Sequence, residues 1–66
     1  MHIILNGQKR EVFPPQSLRE VAGRFAPSPA VLIAEVNGTI VKKNQWDEIH
    51  INDGDTIELG SFVGGG

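Results

Sequence analysis

The segment Ser17-Leu18-Arg19-Glu20-Val21-Ala22-Gly23-Arg24-Phe25 decides the fold. Ser17 and Glu20 stand at the spacing of a capping box, in which hydroxyl and carboxylate each satisfy the other residue's free backbone donor. Leu18, Val21, Ala22 and Phe25 fall at i, i+3, i+4 and i+7, so they form one apolar stripe along about two helical turns. Pro27 and Pro29 then prevent the helix from continuing. No segment after Phe25 repeats that periodicity, so the fold is predicted to have a single helix.

The flanking segments read as strands. His2 to Leu5 is a short apolar run closed by Asn6-Gly7, the strongest two-residue hairpin signal. Gln8 to Phe13 reads as a more polar return strand ended by Pro14-Pro15. After the helix, Val31 to Val36 is predicted as a strand with Leu32, Ala34 and Val36 inward and Ile33 and Glu35 outward. Asn37-Gly38 is a second hairpin turn, leading into Thr39 to Val41. Lys42 to Glu48 is polar except for Trp46 and reads as a connection with a short irregular turn. Trp46 is expected to pack as a satellite over the sheet edge. Ile49 to Ile51 reads either as a brief strand or as an extended link. Asn52 to Asp55 is a tight turn, and Thr56 to Leu59 is the last strand, with Ile57 and Leu59 inward. One helix covers only one face of a sheet. The expectation is therefore an α+β domain of the β-grasp, ubiquitin-like kind, with a four- to five-stranded mixed sheet. The last strand is expected in the middle, beside the first. A ferredoxin-like unit would need a second helix.

Composition narrows the function. At 66 residues the chain is one small domain, in the range that buries only about 60% of the unfolded surface. The body is expected over residues 1–60 and a glycine tail over residues 61–66. A formal charge of −2 argues against nucleic acid, and no apolar run approaches the roughly 20 residues that span a bilayer. The chain has no cysteine, which suits a cytoplasmic protein and excludes a thiol as carrier group. A monomer is expected when the protein is free.

The individual polar residues have plain explanations. His2 and His50 lack a second ligand at metal spacing, and no metal site is expected. Asn52-Asp53-Gly54-Asp55 lacks the ligand pattern and closing Glu of a Ca²⁺ loop. Ser17 is accounted for by capping, and Lys42-Lys43 reads as a solvated pair able to steer an acidic partner. No nucleophile–base pair can be assembled, so no catalytic residue is assigned.

Phe62-Val63-Gly64-Gly65-Gly66 remains. A glycine end contributes nothing to a core, but it carries an α-carboxylate on a thin strand. Inert tails are usually polar, and here Phe62 and Val63 precede the glycines directly.

The chain resembles the ThiS family of sulfur carrier proteins of thiamine biosynthesis. The resemblance is carried by Ile3-x-Leu5-Asn6-Gly7, Val36-Asn37-Gly38 to Ile40-Val41, Trp46, Asp53-Gly54-Asp55-x-Ile57-Glu58 and Val63-Gly64-Gly65-Gly66. It implies that the Gly66 carboxylate is adenylated by a ThiF-like adenylyltransferase using ATP and Mg²⁺, with no cofactor bound to the carrier itself. A persulfide donor then converts it to a thiocarboxylate, and a ThiG-like thiazole synthase receives the sulfur. Gly64 and Gly65 would thread the partner's channel, where a Cβ would crowd attack and restrict φ. From Ser61 to Gly66 the tail reaches roughly 20 Å when extended. Ordering it costs about 1–2 kcal/mol per residue, so body contacts must offset the loss. Phe62 and Val63, with Ile33, are the expected docking residues. The rival carrier is the small subunit of molybdopterin synthase, which tends to be longer and to have Pro-Pro before its tail, where this chain has Gly60-Ser61-Phe62-Val63. A non-covalent ubiquitin-like binding module is the alternative from another class.

Overall fold

In the computed structural model, residues 1–13, 16–25 and 33–60 are described. Strands β1 (His2–Leu5) and β2 (Gln8–Glu11) form an antiparallel hairpin. Its turn places Asn6 at φ 49° and Gly7 at φ 81°, the left-handed pair that matches the twist of the flanking strands. The same chemistry recurs at Asn37 (φ 52°) and Gly38 (φ 86°), which join β4 (Ile33–Val36) to β5 (Thr39–Val41). Both hairpins fall where the Asn-Gly pairs predict them.

Between the hairpins lies α1 (Leu18–Phe25). The capping box is formed: Glu20 N–H donates to Ser17 Oγ at 3.1 Å, and Ser17 N–H donates to Glu20 Oε1 at 2.9 Å. Leu18, Val21 and Ala22 are buried, while Phe25 packs at the margin. There the guanidinium carbons of Arg10 and Arg24 lie 5.8 and 5.5 Å from the Phe25 ring centre. Cations over an aromatic face keep that ring half in water at little cost.

The last strand, β7 (Thr56–Gly60), is central in a five-stranded sheet of order β2-β1-β7-β4-β5. It runs parallel to β1 and antiparallel to β4. This is the mixed sheet with one covering α-helix expected of a β-grasp domain. Alternation along the strands sends Ile3, Leu5, Ala34, Val41, Ile57 and Leu59 to the helix side, where all are buried.

Three details differ from the sequence reading. The second strand ends at Glu11, not Phe13, yet pairing continues one step further. Met1 and Val12 exchange bonds of 2.9 and 2.8 Å, which buries Val12 and leaves Phe13 69% exposed. Lys43–Glu48 is a 3-10 helix instead of an irregular turn. It drives Trp46 into the main core, where Nε1 donates to the Val41 carbonyl at 3.0 Å. Trp46 is therefore a core residue, because a polar segment with one apolar anchor can wind into a short turn and bury that anchor. Finally, of the two readings open for Ile49 to Ile51 the strand holds, as His50–Ile51 forms β6; what differs is its partner, the unexpected strand β3 (Gln16–Ser17), with which it pairs antiparallel in a second, two-stranded sheet. β3 leads directly into α1, and Leu18 N–H donates to the Ile49 carbonyl at 2.8 Å. Of the expected strand Val31 to Val36, residues 31 and 32 lie outside the described residues, as do Pro27 and Pro29.

Candidate functional site: the exit of the central strand

β7 is fixed first at its start. Gly54 (φ 87°) closes the turn before it, where Asp55 N–H donates to the Asn52 carbonyl at 3.0 Å and Asn52 N–H donates to Asp55 Oδ2 at 2.7 Å. His2 N–H donates to Asp53 Oδ1 at 2.7 Å. Both carboxylates are thus occupied in holding backbone, so the segment is a turn, as expected. Asn37 adds a second clamp: its Nδ2 donates to Asp55 Oδ1 at 3.0 Å, and its Oδ1 accepts from Thr56 N–H at 2.9 Å.

The far end of β7 is held by the other turn asparagine. Asn6 N–H donates to the Ile57 carbonyl at 2.9 Å, the last backbone rung between β1 and β7. The chain then turns away at Gly7, and the Asn6 side chain takes over: Oδ1 accepts from Leu59 N–H at 2.8 Å. On the opposite side Leu59 pairs with Ala34, and Gly60 pairs with Ile33. The strand is therefore supported on both sides up to the residue that hands over to residues 61–66. A Cβ built on Gly60 would meet nothing within 4 Å apart from its chain neighbours, so the backbone here has room for a side chain. From sequence alone the two asparagines are turn formers only. The signal for their second role was the choice of Asn, which has a side-chain acceptor, over Gly, which fits the same turn.

Ile33 is half-buried beside the exit and falls outside the core cluster, so the structure brings it next to the start of the tail. Phe62, Val63, Gly64, Gly65 and Gly66 lie outside the described residues. Among the described residues no group of three His, Cys, Asp or Glu side chains is placed to hold a metal ion. His2 stands 4.0 Å from Glu11 at the exposed edge of the β1–β2 hairpin, and His50 is exposed on β6. No helix among the described residues is long and apolar enough to cross a membrane.

Known proteins share this architecture. The crystal structure of the thiamine biosynthesis protein ThiS from Geobacter metallireducens superposes with a TM-score of 0.82 at 27% identity, covering all of both chains. The chain is 29% identical over 66 residues to a thiazole synthase of Paramagnetospirillum magneticum, and spans 20% of that protein's length. It is 32% identical over 62 residues to the uncharacterized protein ycf40 of Trieres chinensis, covering 94% of this chain and 85% of that one. The ThiS family model matches residues 3–66, from the first buried residue of β1 through the glycine run. The chain belongs to the ThiS family, the small sulfur carrier proteins of thiamine biosynthesis.

Proposed function

We propose that the Gly66 carboxylate is the group this carrier loads, and that the body serves to present it. The observation that carries this reading is the placement of β7, which is central, held on both sides and ends at Gly60, directly before the tail. A rigid strand leading into a side-chain-free end reduces the number of residues that must be ordered when a partner takes the terminus.

The chemistry needs activation, because an ionised α-carboxylate, with an ordinary pKa near ~3.5, is a poor electrophile. A carboxylate oxygen attacks the α-phosphorus of ATP, pyrophosphate leaves, and the Gly66 acyl-adenylate forms. A ThiF-like adenylyltransferase performs this step and provides the Mg²⁺ site. The terminal sulfur of a persulfide then attacks the acyl carbon and AMP departs, giving an acyl disulfide. Attack by a second thiol breaks the S–S bond and leaves the thiocarboxylate on Gly66. A ThiG-like thiazole synthase takes up that sulfur. Similarity to a segment of a thiazole synthase supports this last partner. Gly64 and Gly65 provide the narrow neck, and Phe62, Val63 and Ile33 form the apolar contact at its base.

The test is intact mass after incubation with the adenylyltransferase, ATP and a persulfide donor. An oxygen-to-sulfur mass shift is expected, and one alanine appended after Gly66 should abolish it without altering the fold. No shift with the thiamine enzymes, but a shift with molybdenum-cofactor enzymes, would reassign the pathway. No shift with either would overturn the carrier chemistry.

A further inference from the structure

The two Asn-Gly turns share one sequence chemistry but are anchored unequally. Both pairs are exposed, and both asparagines hold a positive φ, 49° at Asn6 and 52° at Asn37. Asn37 has three bonds to the start of β7 and the turn before it. Its N–H donates to the Thr56 carbonyl at 2.7 Å, its Nδ2 donates to Asp55 Oδ1 at 3.0 Å, and its Oδ1 accepts from Thr56 N–H at 2.9 Å. Asn6 has two, from its N–H to the Ile57 carbonyl and from Leu59 N–H to its Oδ1. Among the described residues Asn6 Nδ2 and Gly7 N–H donate to no protein acceptor. A glycine nitrogen, with no side chain beside it, is the least hindered backbone nucleophile toward the carboxamide of the preceding residue. That pairing of an unanchored carboxamide with a free glycine nitrogen occurs at Asn6 and has no use in the fold.

We propose that Asn6 is a hydrolytic modification site, the asparagine of the two that deamidates in the folded protein. The Gly7 nitrogen attacks Asn6 Cγ and a cyclic imide forms. The Cγ–Nδ2 bond breaks, and ammonia leaves with the proton from the Gly7 nitrogen. Water then opens the imide. Addition at Cγ gives aspartate at position 6. Addition at the former Asn6 carbonyl carbon breaks its bond to the Gly7 nitrogen and gives isoaspartate, with the main chain running through the old side chain. Water is the only co-reactant. The left-handed region pairs a positive φ with a positive ψ, whereas imide closure needs a negative ψ, so the turn must open first. Opening costs Asn37 three bonds, one of them to a carboxylate, and costs Asn6 two. Bonds to charged groups are the stronger ones. The aspartate product keeps an acceptor for Leu59 N–H. Isoaspartate lengthens the turn backbone by one carbon and withdraws that acceptor, which unfastens the last support of β7 before the tail. The site is independent of what Gly66 carries.

The experiment incubates the full chain at one mildly alkaline pH, in buffer and in concentrated urea, and follows tryptic peptides by chromatography and mass spectrometry. Cleavage after Lys9, Arg24 and Lys42 places Asn6 in peptide 1–9 and Asn37 in peptide 25–42. Conversion reads as the mass gain of exchanging NH2 for OH, and isoaspartate elutes apart from aspartate. In urea, where neither turn persists, the two sites should react at similar rates. In buffer Asn6 should react about tenfold faster than Asn37, the factor expected of one further bond to a charged acceptor. Amide exchange at Leu59 should accelerate in the purified isoaspartate form and stay near wild type in the aspartate form. Equal rates in buffer, or faster conversion of Asn37, would overturn the assignment. So would an intact Asn6 in buffer over a period in which the urea sample converts completely. Leu59 exchange left unchanged by isoaspartate would overturn the link to β7.

Discussion

Asn6 Oδ1 accepts a hydrogen bond from Leu59 N–H at 2.8 Å, joining the first hairpin turn to the next-to-last residue of the central strand, 53 positions away. The side chain acts as one more rung of the β1–β7 ladder after the β1 backbone has turned aside. Asn6→Gly keeps the positive φ but leaves Leu59 N–H without its acceptor, at a cost of about 1–2 kcal/mol. Asn6→Ala adds the strain of a left-handed alanine, roughly 1 kcal/mol more. Denaturant unfolding should rank the variants in that order. Amide exchange at Leu59 should accelerate in both, and Asn6→Asp, which keeps an acceptor, should lie close to wild type.

The capping box makes a separate prediction. Ser17→Ala removes the acceptor for Glu20 N–H and should cost about 1 kcal/mol. For a domain of this size that corresponds to a fall in melting temperature of roughly 4–8 °C. A loss confined to far-UV helix signal, with the sheet intact, would indicate local fraying in place of cooperative unfolding.

Trp46 should be far less tolerant. It is 4% exposed and its indole donor is matched to the Val41 carbonyl. Trp46→Ala should cost about 3–5 kcal/mol, a large share of the stability of so small a domain. Trp46→Phe should cost less, since it keeps most of the apolar volume and loses the hydrogen bond. Urea denaturation at fixed pH checks both.

The docking role proposed for Phe62 and Val63 predicts effects on binding without effects on stability. Phe62→Ala and Val63→Ala should each raise the KM of the adenylyltransferase for the carrier and leave the melting temperature unchanged. If binding to the activating enzyme were unaffected, the docking role of these residues would be lost.

The sequence revealed the fold where local chemistry was strong. Asn6-Gly7, Asn37-Gly38 and the Ser17–Glu20 box each specify a backbone geometry within a few residues, and each formed as read. The buried faces of β4 and β7 were legible from alternation. The β3–β6 pairing was not, because strands of two residues, Gln16–Ser17 and His50–Ile51, have no period to detect. The place of Trp46 in the main core, where the sequence points to a satellite over the sheet edge, was hidden for a similar reason. Its 3-10 helix has one apolar residue in six, and only the neighbouring strand end gives it a partner. At the candidate site, the glycine run was visible at once. The clamp on β7 was hidden, since it joins turns to a strand many residues away.

The central placement of β7 also has a mechanical consequence. A load applied along the axis of β7 at its C-terminal end acts on a strand with neighbours on both sides, β1 and β4. Such a load shears both ladders at once, so their hydrogen bonds must break together instead of unzipping one by one from an edge. A pull applied at the C-terminal end of β7 therefore meets the combined resistance of both ladders, and the body does not peel open from an edge.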